Sequence, residues 1–404
     1  MRRNGSICGV LALFVMAASA AAQEGPMRVT YDRNNIIRVN GKPFLPIAVW
    51  AQPEDTFAMW KDLGVNLFIT GEHPRKGGTL EAYVKACEEH NVYMSLGYHW
   101  LRSEGKLEEL NRHPLLFTLH HPDEPDKPAG AADAEGGDTP RVNPRISPEQ
   151  IIADYQAVKK LDPERLVSMT LMARFMDEVT FRSISKEQYK AFMPGSDLIM
   201  YDLYPVSIWG RHLHWNAEGL KQLRRLAGPN KPIGIWLQAS DAMSDTDPGM
   251  TGEQIRANAW MALINGATFI GYFPQTFKSG FKFHDINQQR RDALKAVNRE
   301  VTELADVILT APRNDLFELR YQGARVDAMQ RLSDSGDRAL LVLVNVIEEG
   351  EGRPVTVSVT PRAFKAAGVP ALYGSTQPLP LKDGAWQVEL QPWQTAVIVV
   401  DAAR

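Results

Sequence analysis

The stretch LLFTLHHPDEPD, residues 115–126, joins an apolar run directly to a dense group of carboxylates. Residues 115–119 are apolar or β-branched throughout, which is typical of a buried strand. Asp123, Glu124 and Asp126 follow within a few positions, next to two prolines. A buried strand that runs straight into carboxylates predicts a functional site at the carboxyl end of a parallel sheet.

Seven further segments are predicted as buried strands, and helical patterns alternate with them. Together with 115–122 they are 44–50, 66–71, 92–99, 165–173, 197–205, 232–239 and 268–275. Ser147, Pro148 and Gln150 predict the start of the helix that follows 115–122, because Ser caps a helix and Pro suits its first turn. Eight strands, each followed by a helix, predict a (β/α)₈ or TIM barrel over residues 28–312. The alternative is an open doubly wound sheet, but no glycine-rich phosphate loop follows the first strand.

Alternation along five of these strands places polar and aromatic residues on one face, towards the carboxyl ends. They are Ala48 and Trp50; Ser95, Gly97 and His99; Thr118, His120 and Glu124; Met200, Asp202 and Tyr204; and Gly234, Trp236 and Gln238. Barrel enzymes build their sites at this end, so the sequence predicts that these side chains converge there.

The chain changes character near residue 313. Short alternating runs separated by Gly, Pro and Asp turns, such as 317–323, 339–346 and 395–400, predict a small all-β sandwich over residues 313–404. The biased segment 127–147 predicts a loop directly after the carboxylates, either a solvated insertion or a substrate lid.

The N-terminus carries Arg2 and Arg3, an apolar run and then SAAAQ at 19–23. This pattern predicts a cleaved secretory signal peptide at residues 1–22. Cys87 is then the one cysteine of the mature chain, so no internal disulfide is possible, and we expect a secreted or periplasmic bacterial protein. A formal net charge of -3 and the lack of a basic run give no indication of nucleic acid binding. No later apolar run approaches the length of a membrane span.

The order of these motifs resembles that of the clan A glycoside hydrolases, over roughly residues 28–404. The opening VNGKPFLPIAVW at 39–50 is similar to their entry into the first barrel strand, and DEP at 123–125 looks like their NEP motif. YDLYP at 201–205 and MALINGATFIGYF at 261–273 are similar to their sixth-strand and eighth-strand segments. The resemblance implies a (β/α)₈ barrel with a C-terminal sandwich, a carbohydrate substrate, no cofactor, and Glu124 as general acid.

Chemistry supports a sugar site independently of the resemblance. Glycosidic cleavage needs an acid on the leaving oxygen and a second carboxylate opposite it, and Glu124 could supply the acid if burial raised its pKa. The expected substrate-binding residues are Trp50, His99, Asp123, Tyr204, Trp236 and Gln238.

One position departs from the clan A pattern. Gln238 occupies the place of the nucleophilic glutamate on the seventh strand, and an amide can neither form a glycosyl ester nor act as a base. We therefore expect Gln238 to contact substrate. Asp202 would then be the base of an inverting reaction, or Asp123 and Glu124 would act together on a 2-acetamido sugar that supplies its own nucleophile.

Two other classes of function stay open. A barrel that has lost hydrolysis would be a non-catalytic glycan-binding protein. A metal-dependent barrel hydrolase needs convergent histidines, and His99 with His120 is the one inward pair. We expect no metal in the site.

Overall fold

The computed structural model describes residues 27–71, 78–129, 143–179, 184–207, 212–240, 249–277, 280–348, 350 and 352–403. The predicted signal peptide lies outside these residues, as does most of the predicted loop 127–147. Within the described part of the chain, each helix is too short or too polar to cross a membrane.

A small antiparallel sheet precedes the barrel. Its strands are β1 (Val29–Tyr31), β2 (Ile37–Val39) and β3 (Lys42–Pro43), in the order β1–β2–β3. The apolar side chains of Val29, Ile37 and Val39 share one core cluster with Leu166 and Leu198, which begin two barrel strands. The small sheet therefore closes the N-terminal end of the barrel, opposite the end where the sequence predicts the site.

Eight parallel strands form the closed barrel. They are β4 (Ile47–Trp50), β5 (Leu67–Ile69), β6 (Tyr93–Gly97), β7 (Leu116–His120), β8 (Leu166–Met172), β9 (Leu198–Asp202), β10 (Ile233–Gln238) and β11 (Phe269–Phe273). Each strand pairs with its sequence neighbours, and β11 pairs with β4 to close the ring. The predicted barrel is confirmed, and every one of the eight predicted strands is present.

Helices surround the barrel. They are α1 (Phe57–Asp62), α2 (Leu80–His90), α3 (Tyr98–Ser103), α4 (Leu107–Leu110), α5 (Pro148–Leu161), α6 (Lys186–Phe192), α7 (Trp215–Ala227), α8 (Gly252–Ile264), α9 (Gln288–Glu303) and α10 (Ala305–Ile308). The predicted cap of α5 is present, because the Ser147 hydroxyl accepts the backbone N–H of Gln150 at 3.2 Å. Short 3₁₀ turns lie at Glu54–Thr56, Ala173–Phe175 and Met193–Gly195.

The C-terminal part is all β. Its strands are β12 (Phe317–Arg320), β13 (Arg325–Leu332), β14 (Arg338–Val346), β15 (Val355–Pro361), β16 (Leu381–Lys382), β17 (Ala385–Leu390) and β18 (Thr395–Asp401). They form two antiparallel sheets, β12–β15–β17–β16 and β13–β14–β18, which contribute to one shared apolar core. An all-β domain after the barrel agrees with the predicted fold class, and the limits 28–312 and 313–404 stay a prediction.

Strand β14 joins the two parts. Leu341 and Leu343 belong to the core between the two sheets, whereas Leu340, Val342 and Val344 belong to the core of the barrel. Alternate residues of a strand point to opposite faces, so this one strand is buried on both sides. The β domain is thus packed directly against the barrel.

Candidate active site

A cavity of about 260 Å³ lies at the carboxyl ends of the barrel strands. The residues that line it are Trp50, Asp123, Glu124, Lys127, Thr170, Asp202, Tyr204, Trp236, Phe273, Gln275 and Phe277. Six of the eight predicted site residues are in this set: Glu124, Asp202, Trp50, Asp123, Tyr204 and Trp236. The cavity combines carboxyl groups on one part of its wall with large aromatic rings on the rest.

The backbone conformation and a buried aspartate fix the positions of the carboxylates in the turn after β7. Glu124 has φ 45°, in the left-handed region that is unusual for a residue with a side chain. Two positions later, the fully buried Asp126 accepts the backbone N–H of Met172 at 3.1 and 3.2 Å and the Tyr189 hydroxyl at 3.0 Å. These bonds tie the turn to the end of β8 and to α6, so Glu124 lies on a fixed support.

Two cations lie beside this turn. The Lys127 ammonium nitrogen is 3.6 Å from Glu124 Oε2, and the Glu124 side chain is 18% exposed. The Arg145 guanidinium donates to the backbone carbonyl of Asp123. Lys127 thus provides a counter-charge for the Glu124 carboxylate, and Arg145 stabilises the backbone of the turn.

Asp202 ends β9 and faces the same cavity. Burial, and then the nearby carboxylates of Glu124 and Asp123, raise the pKa of Asp202 well above its ordinary range. The Tyr204 hydroxyl forms a hydrogen bond with the Asp202 carboxyl group and opposes this rise in pKa. Carboxyl groups that share one desolvated cavity disfavour one another's charged forms, so burial and its neighbours favour the protonated form of Asp202.

Aromatic rings form the rest of the wall. Trp50 and Trp236 meet edge to face at 5.1 Å, and the Trp236 indole N–H donates to Thr170 Oγ1 at 3.0 Å. Trp236 covers Gly271, where an added Cβ would lie 2.4 Å from the indole ring. Only glycine at that position leaves room for the indole, so Gly271 helps to fix the shape of the cavity.

His99 does not lie in this cavity. Strand β6 ends at Gly97 and α3 begins at Tyr98, so the predicted inward alternation stops before His99. Its Nε2 contacts the buried carboxylate of Asp154 at 2.8 Å, and it lines a neighbouring space of about 560 Å³. His99 therefore lies apart from Glu124 and Asp202, and its contact with substrate stays a prediction.

Gln238 also lies outside the lining of the cavity. Its side chain is buried, and its Nε2 donates to Ser207 Oγ at 2.5 Å and to the Ser240 carbonyl at 2.7 Å. Its Oε1 accepts the backbone N–H of Ser207 at 3.2 Å. The amide binds the two loops that follow β9 and β10 to each other, which uses its hydrogen-bonding groups within the protein.

The two adjacent histidines of the HHPDEPD motif have separate partners. His120 Nε2 contacts Thr70 Oγ1 at 3.2 Å, and His121 Nε2 contacts the Gly195 carbonyl at 2.8 Å. His120 ends β7 and His121 follows it, and both line the space that also contains His99. Among the described residues, no three His, Cys, Asp or Glu side chains are grouped as a metal site would need.

Sequence reasoning missed several residues of the cavity. Lys127 lies in the segment that the sequence predicts as a loop, although its spacing of three from Glu124 suits an ion pair across a turn. Phe273 ends the last barrel strand, and Gln275 and Phe277 follow it. Alternation along β11 places Phe273 at the same end of the barrel as the predicted site.

Neither a protein-family model nor a curated protein matches this sequence. Among solved structures, it is similar to a family 39 glycoside hydrolase from the gut symbiont Bacteroides cellulosilyticus WH2, with a TM-score of 0.56 and 11% identity over 93% of this chain and 87% of that one. A second structure, described as a glycoside hydrolase, has a TM-score of 0.56 and 11% identity over 93% of this chain and 97% of that one. At this level of identity the likeness shows the fold, a (β/α)₈ barrel of the kind found in glycoside hydrolases.

Proposed function

We propose that this protein is a glycoside hydrolase that cleaves O-glycosidic bonds of a poly- or oligosaccharide in the barrel cavity. One observation carries the proposal: Glu124 and Asp202 line the same small, aromatic-walled cavity. Glycosidic cleavage uses two carboxyl groups on either side of the bond. Flat aromatic faces such as those of Trp50 and Tyr204 offer apolar contact to the C–H face of a sugar ring. The likeness of the fold to glycoside hydrolases supports the same function.

The electrostatics of the cavity favour Asp202 as the proton donor. Its pKa is raised by burial and by the carboxylates of Glu124 and Asp123, whereas Glu124 has the ammonium group of Lys127 beside it. The sequence-based expectation gave the proton to Glu124 and the role of base to Asp202. We propose the reverse division, with the proton resting on Asp202 and the negative charge on Glu124.

The proposed reaction is a single displacement by water. Asp202 gives its proton to the glycosidic oxygen as the bond from that oxygen to the anomeric carbon breaks, and the leaving group departs as an alcohol. Water attacks the anomeric carbon while Glu124 accepts one of its protons. The proton then returns from Glu124 to Asp202, and the product has inverted configuration.

A substrate-assisted reaction is the variant of this proposal that the position of Asp123 supports. Asp123 lines the cavity directly beside Glu124, where it could orient the acetamido group of a 2-acetamido sugar. That reaction would retain configuration and would require the acetamido group. Proton NMR of the first product formed, read before mutarotation, separates the two routes.

The test uses Glu124→Gln and Asp202→Asn with a panel of aryl glycosides and oligosaccharides. Each variant should lose about 100-fold or more in kcat/KM on natural linkages, because each removes a proton-transfer group. Asp202→Asn should lose much less on 4-nitrophenyl glycosides, whose leaving group needs little protonation. Glu124→Gln should lose activity on both and regain it with added azide, which replaces the activated water.

A matched control is Glu109→Gln, which changes an exposed helical glutamate paired with Lys106 and should keep wild-type activity. If azide instead rescues Asp202→Asn, and Glu124→Gln keeps activity on activated substrates, the roles are those expected from the sequence. If no glycan is hydrolysed under any condition while one binds to the wild type, the proposal is wrong and the protein is a glycan-binding protein.

We also propose that the protein acts outside the cytoplasm, in the periplasm or the medium of a bacterium. The basis is the arginine pair and the apolar run within residues 1–22. Expression of the full chain in a bacterium, followed by N-terminal sequencing of the periplasmic fraction, should give a mature terminus close to Ala22. A full-length protein retained in the cytoplasm would contradict export.

A further inference from the structure

A row of aromatic rings leads out of the cavity onto the surface of the barrel. Inside, Tyr204 and Phe273 stack with centroids 4.5 Å apart and ring planes at 27°. Phe277 continues the row at 6.4 Å from Phe273, with planes at 23°, and Phe281 follows at 5.4 Å. Tyr204 and Phe273, at the inner end of the row, are each 8% exposed. Phe277 and Phe281, at its outer end, are 49% and 46% exposed.

The two outer rings are held in place by the backbone that carries them. Thr276 and Lys282 exchange backbone hydrogen bonds of 3.2 and 3.0 Å. Phe283 packs edge to face against Phe281 at 4.9 Å, and its carbonyl accepts a hydrogen bond from Gln52 at 2.7 Å. Phe277 and Phe281 therefore lie next to backbone positions that hydrogen bonds hold to each other and to Gln52.

Exposing two neighbouring phenyl rings has a cost, since each square ångström of apolar surface in water is unfavourable. Across the described residues, the other large exposed apolar side chains are Leu161, Tyr321, Val369 and Leu381, and none of these lines the cavity. Two neighbouring exposed apolar side chains at the opening of a cavity are typical of a ligand-binding surface.

We propose that Phe277 and Phe281 bind the leaving group of the substrate, and that this leaving group carries a flat apolar face such as an aryl ring. The inference rests on the proposed function and narrows its substrate to a glycoside whose leaving group carries a flat apolar face rather than a further sugar. The inner cavity, at about 260 Å³, lies below the roughly 300 to 1,000 Å³ of pockets for larger ligands, which suits a single sugar ring. The group on the other side of the glycosidic oxygen must then lie along the aromatic row outside.

The residue type supports an apolar partner. Trp and Tyr rings can also form hydrogen bonds with sugar hydroxyl groups, as the indole of Trp236 and the phenol of Tyr204 do with protein groups. A phenyl ring has no polar edge, so hydroxyl groups laid against Phe277 would lose water without gaining a hydrogen bond. An aryl group meets the same ring by offset stacking.

The experiment compares methyl and benzyl glycosides of one sugar, chosen as the sugar whose 4-nitrophenyl glycoside the wild type cleaves or binds. Their leaving alcohols are similarly acidic, so a difference reports contacts of the benzyl ring. Dissociation constants are measured by calorimetry on Glu124→Gln, which slows turnover, with and without the second changes Phe277→Ala, Phe277→Leu and Phe281→Ala. Leu381→Ala, at an exposed position in the β domain, is the matched control.

We expect Glu124→Gln to bind the benzyl glycoside about tenfold more tightly than the methyl glycoside, the factor that one good aromatic pair provides. Phe277→Ala should bring this ratio close to one, and Phe277→Leu should do the same despite its apolar side chain. Phe281→Ala should reduce the ratio in part, and Leu381→Ala should keep it. A ratio near one in the parent, or a tenfold ratio that survives Phe277→Ala, would overturn the inference.

The outcomes also separate this inference from the proposed function. Hydrolysis of both glycosides by the wild type with no benzyl preference leaves the proposed function standing and removes the aryl-binding surface. A benzyl preference that depends on Phe277, with no hydrolysis by the wild type, keeps the surface and removes the proposed hydrolase activity.

Discussion

Asp126 makes the stability of this protein depend on pH in a direction that is unusual for an aspartate. Its carboxyl group is buried behind Glu124, where it accepts hydrogen bonds from the Met172 backbone and the Tyr189 hydroxyl. These bonds favour the charged form, but burial is the larger effect and raises the pKa of Asp126 from 3.8 to about 7. The folded protein therefore holds this proton more tightly than the unfolded chain does.

The sign and the size of the effect follow from linkage. The folded state binds more protons than the unfolded state between pH 3.8 and about 7, so the free energy of unfolding falls as pH rises through that window. Three pKa units, at about 1.36 kcal/mol each, give a loss of roughly 4 kcal/mol from the acid limit to the alkaline limit. Asp126→Asn keeps a similar shape without this titration. The free energy of unfolding of the variant, relative to that of the wild type, should therefore rise by roughly 3 kcal/mol from pH 5 to pH 8.

The assay is urea denaturation of both proteins at pH 5, 6, 7 and 8, followed by tryptophan fluorescence. The quantity of interest is the difference in the free energy of unfolding between variant and wild type at each pH, because titrations common to both cancel in it. Asp62→Asn, which removes a carboxylate that is 67% exposed, controls for the loss of one charge. If the difference for Asp126→Asn is constant from pH 5 to pH 8, the reasoning about burial is refuted.

Three further predictions concern the cavity and its frame. Gln238→Glu should give no gain in hydrolysis and should cost about 2 kcal/mol of stability or more. The reason is that a buried carboxylate would face the Ser240 carbonyl, to which the amide of Gln238 donates. Increased activity would show that the side chain reaches the substrate. Gly271→Ala should displace the Trp236 indole, whose ring would lie 2.4 Å from the new Cβ, and should reduce stability by about 1 to 3 kcal/mol. Unchanged stability in urea, with unchanged indole fluorescence, would contradict this. Glu124→Gly should be more stable than Glu124→Ala by about 1 kcal/mol, because φ is 45° at this position and only glycine has no Cβ to oppose it. If Glu124→Ala is the more stable variant, the turn relaxes to another conformation.

Much of the fold could be predicted because it depends on local patterns. Apolar runs of strand length, separated by helical periods, identify all eight barrel strands, and the alternation of residues such as Trp50, Asp202 and Trp236 identifies the face that lines the cavity. The small sheet β1–β3 was missed, because strands of two or three residues carry too little pattern to be recognised.

The two predicted site residues that lie outside the cavity, His99 and Gln238, show where alternation stops being informative. The predicted direction of His99 continues the period of β6 two residues beyond Gly97, where the backbone has already become helical. Gln238 has the expected place on its strand, but Ser207 and Ser240 bind its amide. Loop residues far away in sequence decide which hydrogen bonds a side chain makes, and no local pattern reports them.

Glu124 shows how the site depends on more than the strand that precedes it. Alternation from β7 can aim a residue only while the chain stays extended, and the strand ends at His120. The left-handed backbone at Glu124 re-aims its side chain towards the cavity, at a cost of about 1 to 2 kcal/mol for a residue with a Cβ. Such a conformation persists only where the surroundings hold it. Here the buried Asp126 does so from one side, and Arg145 from the other, through the carbonyl of Asp123. The carboxylates of the DEPD motif therefore divide between two tasks: Asp123 and Glu124 face the cavity, and Asp126 fixes the turn that presents them.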